Sequence, residues 1–166
     1  RINRATPLTP TSLVTLAMLG AGDRALSVRE TVSALHDLMA YVAKRDLPRT
    51  FDLAVLESEA GVRAALDTLV ETDVVARFDG GAEPVYRIGA DQELTAAYYR
   101  NCVVHFFVTG AIAELALLSA ARPEVADPTD EFWDEAMRLR DLLKFEFFFP
   151  DKDEFREELR AELALQ

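Results

Sequence analysis

The sequence predicts a mainly α-helical protein: a helical bundle carrying a small winged-helix-like β-hairpin. Three observations predict it. Apolar residues recur at steps of three and four through most of the chain, as one face of a 3.6-residue helix requires. Two short β-prone runs, residues 74–78 and Val85-Tyr86-Arg87-Ile88, flank Asp79-Gly80-Gly81, which is a hairpin pattern. The longest apolar stretch, residues 96 to 121, lies in a helix expected from about residue 91 to 121 and is apolar nearly all round. A helix apolar nearly all round is buried on most sides, so this one is expected at the centre of the core. Two subdomains follow: residues 1–90, winged-helix-like with the hairpin, and residues 91–166, helical and built on the central helix.

The elements can be justified in order. Thr9-Pro10-Thr11-Ser12 supplies capping residues and an early proline, and Gly20 closes a short first helix. Ser27-Val28-Arg29-Glu30 has the capping-box spacing. The helix it opens carries Val28, Val32, Leu35, Met39 and Val42 inward and ends at Asp46-Leu47-Pro48. Residues 48–57 show no period and read as a loop. A third helix over 59–72 turns Val62, Leu66, Leu69 and Val70 inward, and the hairpin follows. After the central helix, Asp130 is expected to cap a helix with Phe132, Trp133, Ala136, Leu139, Leu142 and Leu143, stopped by Pro150. Asp151-Lys152-Asp153 opens a last helix bearing Phe155, Leu159 and Leu163.

Composition narrows the function. Half of the 166 residues are hydrophobic, enough for one domain or two small subdomains. The net charge is −11, which opposes nucleic acid as a partner. Residues 1–90 carry 10 Lys and Arg against 12 Asp and Glu, and residues 91–166 carry 8 against 17. Cys102 is the only cysteine, so no internal disulfide forms and the thiol reads as a core residue. The opening Arg1-Ile2-Asn3-Arg4, without methionine, reads as the interior of a longer polypeptide. Residues 102–121 nearly reach the roughly 20 apolar residues of a membrane span. His105 and Glu114 within them favour a buried core helix instead.

Chemistry-bearing residues are sparse. There are two histidines. His36 lies on the polar side of its helix and reads as surface. Tyr98, Asn101 and His105 share one face of the central helix at steps of three and four, so they are expected to form a buried hydrogen-bonded cluster. No zinc-ligand spacing and no Gly-rich phosphate loop is present, so neither metal nor cofactor is expected. The acidic group Asp151, Asp153, Glu154, Glu157 and Glu158 reads as a solvated helix start. Phe145, Phe147, Phe148 and Phe149 read as core or interface packing.

Tyr98-Tyr99-Arg100-Asn101 with Val104-His105-Phe106-Phe107-Val108 resembles the region beyond the catalytic domain in bacterial membrane-associated and mitochondrial-type glycerol-3-phosphate acyltransferases. Arg1-Ile2-Asn3-Arg4-Ala5, Thr11-Ser12-Leu13-Val14, and Leu142-Leu143-Lys144-Phe145-Glu146-Phe147-Phe148 with Phe155 behind them follow in the same order. The family's acyl transfer uses an H-x-x-x-x-D pair, its histidine acting as general base. Here five residues after His36 stands Tyr41, and five after His105 stands Gly110. The family's Phe-Pro-Glu-Gly motif is only echoed by Phe149-Pro150-Asp151-Lys152. The resemblance therefore implies a non-catalytic C-terminal region of an enzyme that transfers acyl groups from acyl-CoA or acyl-carrier protein to glycerol-3-phosphate in phospholipid synthesis.

On that resemblance, Tyr98, Tyr99, Arg100, Asn101, His105, Phe145, Phe147 and Phe148 are structural or interdomain residues. The partner implied is the N-terminal acyltransferase domain of the same protein. The parent sits peripherally on the cytoplasmic side of the cell membrane, and the segment alone is soluble. Two rivals remain: a winged-helix DNA-binding regulator and a free-standing helical oligomerisation module. Against the first, residues 59–72 offer Arg63 alone beside Glu59, Asp67 and Glu71, a balance that repels phosphates.

Overall fold

The structure is a computed structural model that describes residues 6–165; the Arg1-Ile2-Asn3-Arg4-Ala5 stretch lies outside them. It is mainly helical with a small antiparallel sheet, in two compact units that divide between Val104 and His105. The division falls later than the expected boundary after residue 90.

The N-terminal unit starts with α1 (Pro10–Gly20), whose capping box pairs Thr9 with Ser12. Strand β1 (Leu26–Ser27) leads into α2 (Val28–Lys44). As the spacing predicts, the Ser27 amide donates to Glu30 Oε2 at 2.8 Å and the Glu30 amide to Ser27 Oγ at 3.3 Å. Residues 51–57, expected to be loop, form a 3-10 helix (Phe51–Glu57) that buries Leu53 and Leu56. Its two inward leucines are three apart, which suits a 3-10 turn but is too short to register as a period.

Helix α3 (Glu59–Glu71) buries Val62, Ala65, Leu66 and Leu69. Gly61 in its first turn lets the chain approach the 3-10 segment closely, since a Cβ there would sit 1.9 Å from the Val55 carbonyl oxygen. Strands β2 (Val75–Phe78) and β3 (Val85–Ile88) make the expected hairpin. Among the described residues the sheet order is β1-β3-β2, with Leu26 opposite Tyr86. The two-residue β1 gives no alternation to read, so its place in the sheet was not predicted. Helix, strand, helix, helix and hairpin, with the first strand beside the last, is a winged-helix arrangement. Helix α4 (Glu93–Asn101) packs on α1 through buried Ala96.

The continuous central helix does not exist. Its first part is α4, and its second is α5 (Val108–Ala120); between them Val103 closes a tight turn onto the Arg100 carbonyl at 3.0 Å and residues Val104–Phe106 are 3-10. The two helices bury their faces in different cores. A chain apolar on every side carries no periodic mark of where one helix hands over to the next.

The C-terminal unit comprises α5, α6 (Pro128–Leu143) and α7 (Lys152–Leu163). Asp127, not Asp130, caps α6, accepting from the amides of Thr129 and Asp130. Helix α6 ends seven residues before Pro150, so that proline is not its stop signal. The core joins Val108, Ile112, Ala113, Ala116 and Ala120 to Phe132, Ala136, Phe155 and Leu159. Helix α5 buries its small side and exposes Leu115, Leu117 and Leu118. The expectation that it would be covered on most sides is therefore corrected: α6 and α7 occupy only one flank of it.

Candidate functional site

The residues singled out from sequence fall into two groups, one in each unit. At the end of α4, Tyr98 is 67% exposed and its ring packs edge-on against Tyr99 at 5.8 Å. Arg100 donates from Nε (3.1 Å) and Nη2 (2.9 Å) to the Asn101 amide oxygen, and Asn101 is exposed. The line expected through Tyr98, Asn101 and His105 is not buried, for Tyr98 and Asn101 are exposed. Helix α4 ends at Asn101, so the i, i+4 relation on which it depended is lost. His105 lies half-buried in the 3-10 turn, its ring 4.0 Å from that of Phe106. Cys102 is half-buried, and its thiol meets the Tyr98 carbonyl at 3.4 Å.

The second group stands between α6 and α7. Phe147 and Phe149 pack against the core, whereas Phe145 is 86% and Phe148 97% exposed. The aromatic run is thus divided by its own backbone: alternate rings turn inward and outward. Lys144 Nζ lies 5.5 Å from the Phe145 ring centroid.

Sequence reasoning missed the group that holds this connection, Arg140. Phe132, Ala136 and Arg140 are four apart and all buried, so the spacing marked an inward arginine that a search for apolar stripes passes over. Its Nη1 donates to Asp141 Oδ1 at 3.0 Å and its Nη2 to the Pro150 carbonyl. The guanidinium lies 5.8 Å from the Phe149 ring and 5.7 Å from that of Phe155, close enough for cation–π attraction. Its Nε is buried with no hydrogen-bond partner. Lys152 hydrogen-bonds Asp141 at 3.1 Å and, with Lys144 and Arg140 nearby, holds that carboxyl below its ordinary range. Asp141 therefore joins the end of α6 to the start of α7.

This geometry offers packing and positioning. His36 is exposed on α2 next to an exposed Asp37. Among the described residues no three His, Cys, Asp or Glu are grouped to hold a metal ion, and no helix is long and apolar enough to cross a membrane. The outward side of α3 presents Arg63, Ala64 and Thr68 between acidic neighbours.

Comparison with known proteins gives the family context. A family model described as the glycerol-3-phosphate acyltransferase C-terminal region matches residues 1–166. Proteins from Mycobacterium bovis and from two strains of Mycobacterium tuberculosis, each named "Putative acyltransferase plsB1", are 45% identical over 169 aligned residues. The alignment covers 99% of this chain and 27% of each relative. The chain thus spans about a quarter of the length of the curated relatives it matches.

Proposed function

Since this chain belongs to the glycerol-3-phosphate acyltransferase C-terminal region family, we propose that it is a non-catalytic support for an acyltransferase domain of the same polypeptide. That enzyme transfers an acyl group from acyl-CoA or acyl-carrier protein to glycerol-3-phosphate, an entry step of phospholipid synthesis, at the cytoplasmic face of the membrane. The family match over the whole chain carries the reading. The side-chain inventory agrees with it: general-base acyl transfer needs a base within hydrogen-bond reach of the attacking hydroxyl, and neither histidine has an aspartate five residues on. Exposed Tyr98 and Asn101 suit a contact with another domain better than a role inside this one.

The winged-helix arrangement raises DNA binding as a second reading. The acidic α3 face and the net charge of −11 weigh against it, because phosphate contacts supply most of the affinity in such complexes.

The test has two arms. The purified 166-residue chain should show no turnover of glycerol-3-phosphate with acyl-CoA. Deleting the segment from a full-length relative should lower its activity or its yield of folded protein. Turnover by the chain alone, or a deletion with neither effect, overturns the proposal.

A further inference from the structure

Resting on the supporting role above and adding its surface, we propose that Phe145 and Phe148 are the docking point for the part of the polypeptide outside this chain. Both rings are almost wholly exposed, yet the backbone that carries them is braced. Phe147 and Phe149 anchor it to the core, Phe149 packing edge-on against Phe155 at 5.3 Å. Arg140 grips the Pro150 carbonyl, and Asp141 ties Lys152 to the end of α6. Two aromatic rings on a preorganised segment are well suited to anchor an interface, because little conformational freedom is lost when they are covered.

The occupant is argued from length and charge. The chain accounts for 27% of each mycobacterial relative, so most of a relative-sized polypeptide lies outside it. A tethered partner binds at an effective concentration near millimolar, so two rings with a polar rim suffice where a free partner needs roughly 1,000 Å² of interface. Glu146, Asp151, Asp153 and Glu154 lie close to the rings along the chain and are exposed, while Lys152 and Lys144 lie against Asp141, Lys144 also 5.5 Å from the Phe145 ring centroid. The segment is net acidic, four carboxylates against two lysines over residues 144–154, and this disfavours an anionic lipid surface and a second copy of itself. The complementary surface has apolar pockets for two rings and basic groups at its edge.

Hydroxyl-radical footprinting tests this on two samples, the 166-residue chain and a full-length polypeptide containing it. Both rings should oxidise readily in the chain and several-fold more slowly in the full-length protein. The double substitution Phe145→Ser, Phe148→Ser should leave the melting of the chain unchanged but lower full-length activity. Equal oxidation in both samples overturns the proposal. So does protection that appears only on adding phosphatidylcholine–phosphatidylglycerol vesicles, or protection of the chain alone that grows with its concentration. Deletion of the whole segment separates the two levels. If deletion removes activity while the rings stay oxidisable in the full-length protein, the docking point is wrong and the supporting role stands. If deletion leaves both activity and the yield of folded protein intact, both fall.

Discussion

Replacing Arg140 by alanine probes the brace beneath the exposed rings. A hydrogen bond from a charged donor, here Nη2 to the Pro150 carbonyl, contributes about 1.5–3 kcal/mol. The two ring faces add roughly 0.5–1 kcal/mol each. Loss of the buried stem beyond Cβ removes two methylenes at about 0.8 kcal/mol apiece. Against these stands the buried Nε without a partner, whose removal returns about 1–3 kcal/mol. The net expectation is a loss of about 2–4 kcal/mol for Arg140→Ala and about 1–2 kcal/mol for Arg140→Met, which keeps an apolar stem. Urea unfolding followed by tryptophan fluorescence suits the measurement, because Trp133 is the only tryptophan and packs against the same core. A midpoint for Arg140→Ala within about 0.5 kcal/mol of wild type would refute the assignment of the brace to this guanidinium. Equal losses for the two variants would show that the stem contributes nothing.

Three further outcomes are expected. Tyr86 is fully buried with its hydroxyl unpartnered, so Tyr86→Phe should be neutral or stabilising by up to about 1–3 kcal/mol. A loss above about 1 kcal/mol in urea melts would mean that the hydroxyl is satisfied after all. Gly61→Ala forces a Cβ against the Val55 carbonyl and should destabilise by about 1–3 kcal/mol or more, whereas an unchanged midpoint would show that the 3-10 segment yields. The Glu30 carboxyl is held below its ordinary range, first by the Ser27 amide and hydroxyl and then by Arg24. Its stabilisation is full above the unfolded value near pH 4.3 and is lost as pH falls through the lower folded value. Glu30→Gln should therefore flatten stability against pH on the acid side, and a slope identical to wild type would contradict the linkage.

Much of the fold was legible because its signals are local. Thr9, Ser27 and Asp151 cap helices where the sequence places them, since a cap depends on residues three positions apart. The hairpin follows from β-prone runs around glycines, and the inward stripes of α2, α3 and α7 from their spacing. The family resemblance was also readable, because it rests on residue identity in order.

What only the tertiary structure decided is where apolar surface goes when there is more of it than one core can cover. Residues 96–121 are apolar nearly all round, so their pattern could not say that the chain breaks after Asn101 or that α5 buries alanines and exposes leucines. The Tyr98, Asn101 and His105 line is not buried for the same reason, being drawn on a helix that stops midway. Four phenylalanines in five residues look alike in sequence. Packing on Phe155 and the grip of Arg140 on Pro150 separate the two that face inward from the two that face out. Those choices depend on neighbours distant along the chain or hidden by charge, and a pattern read from spacing does not contain them.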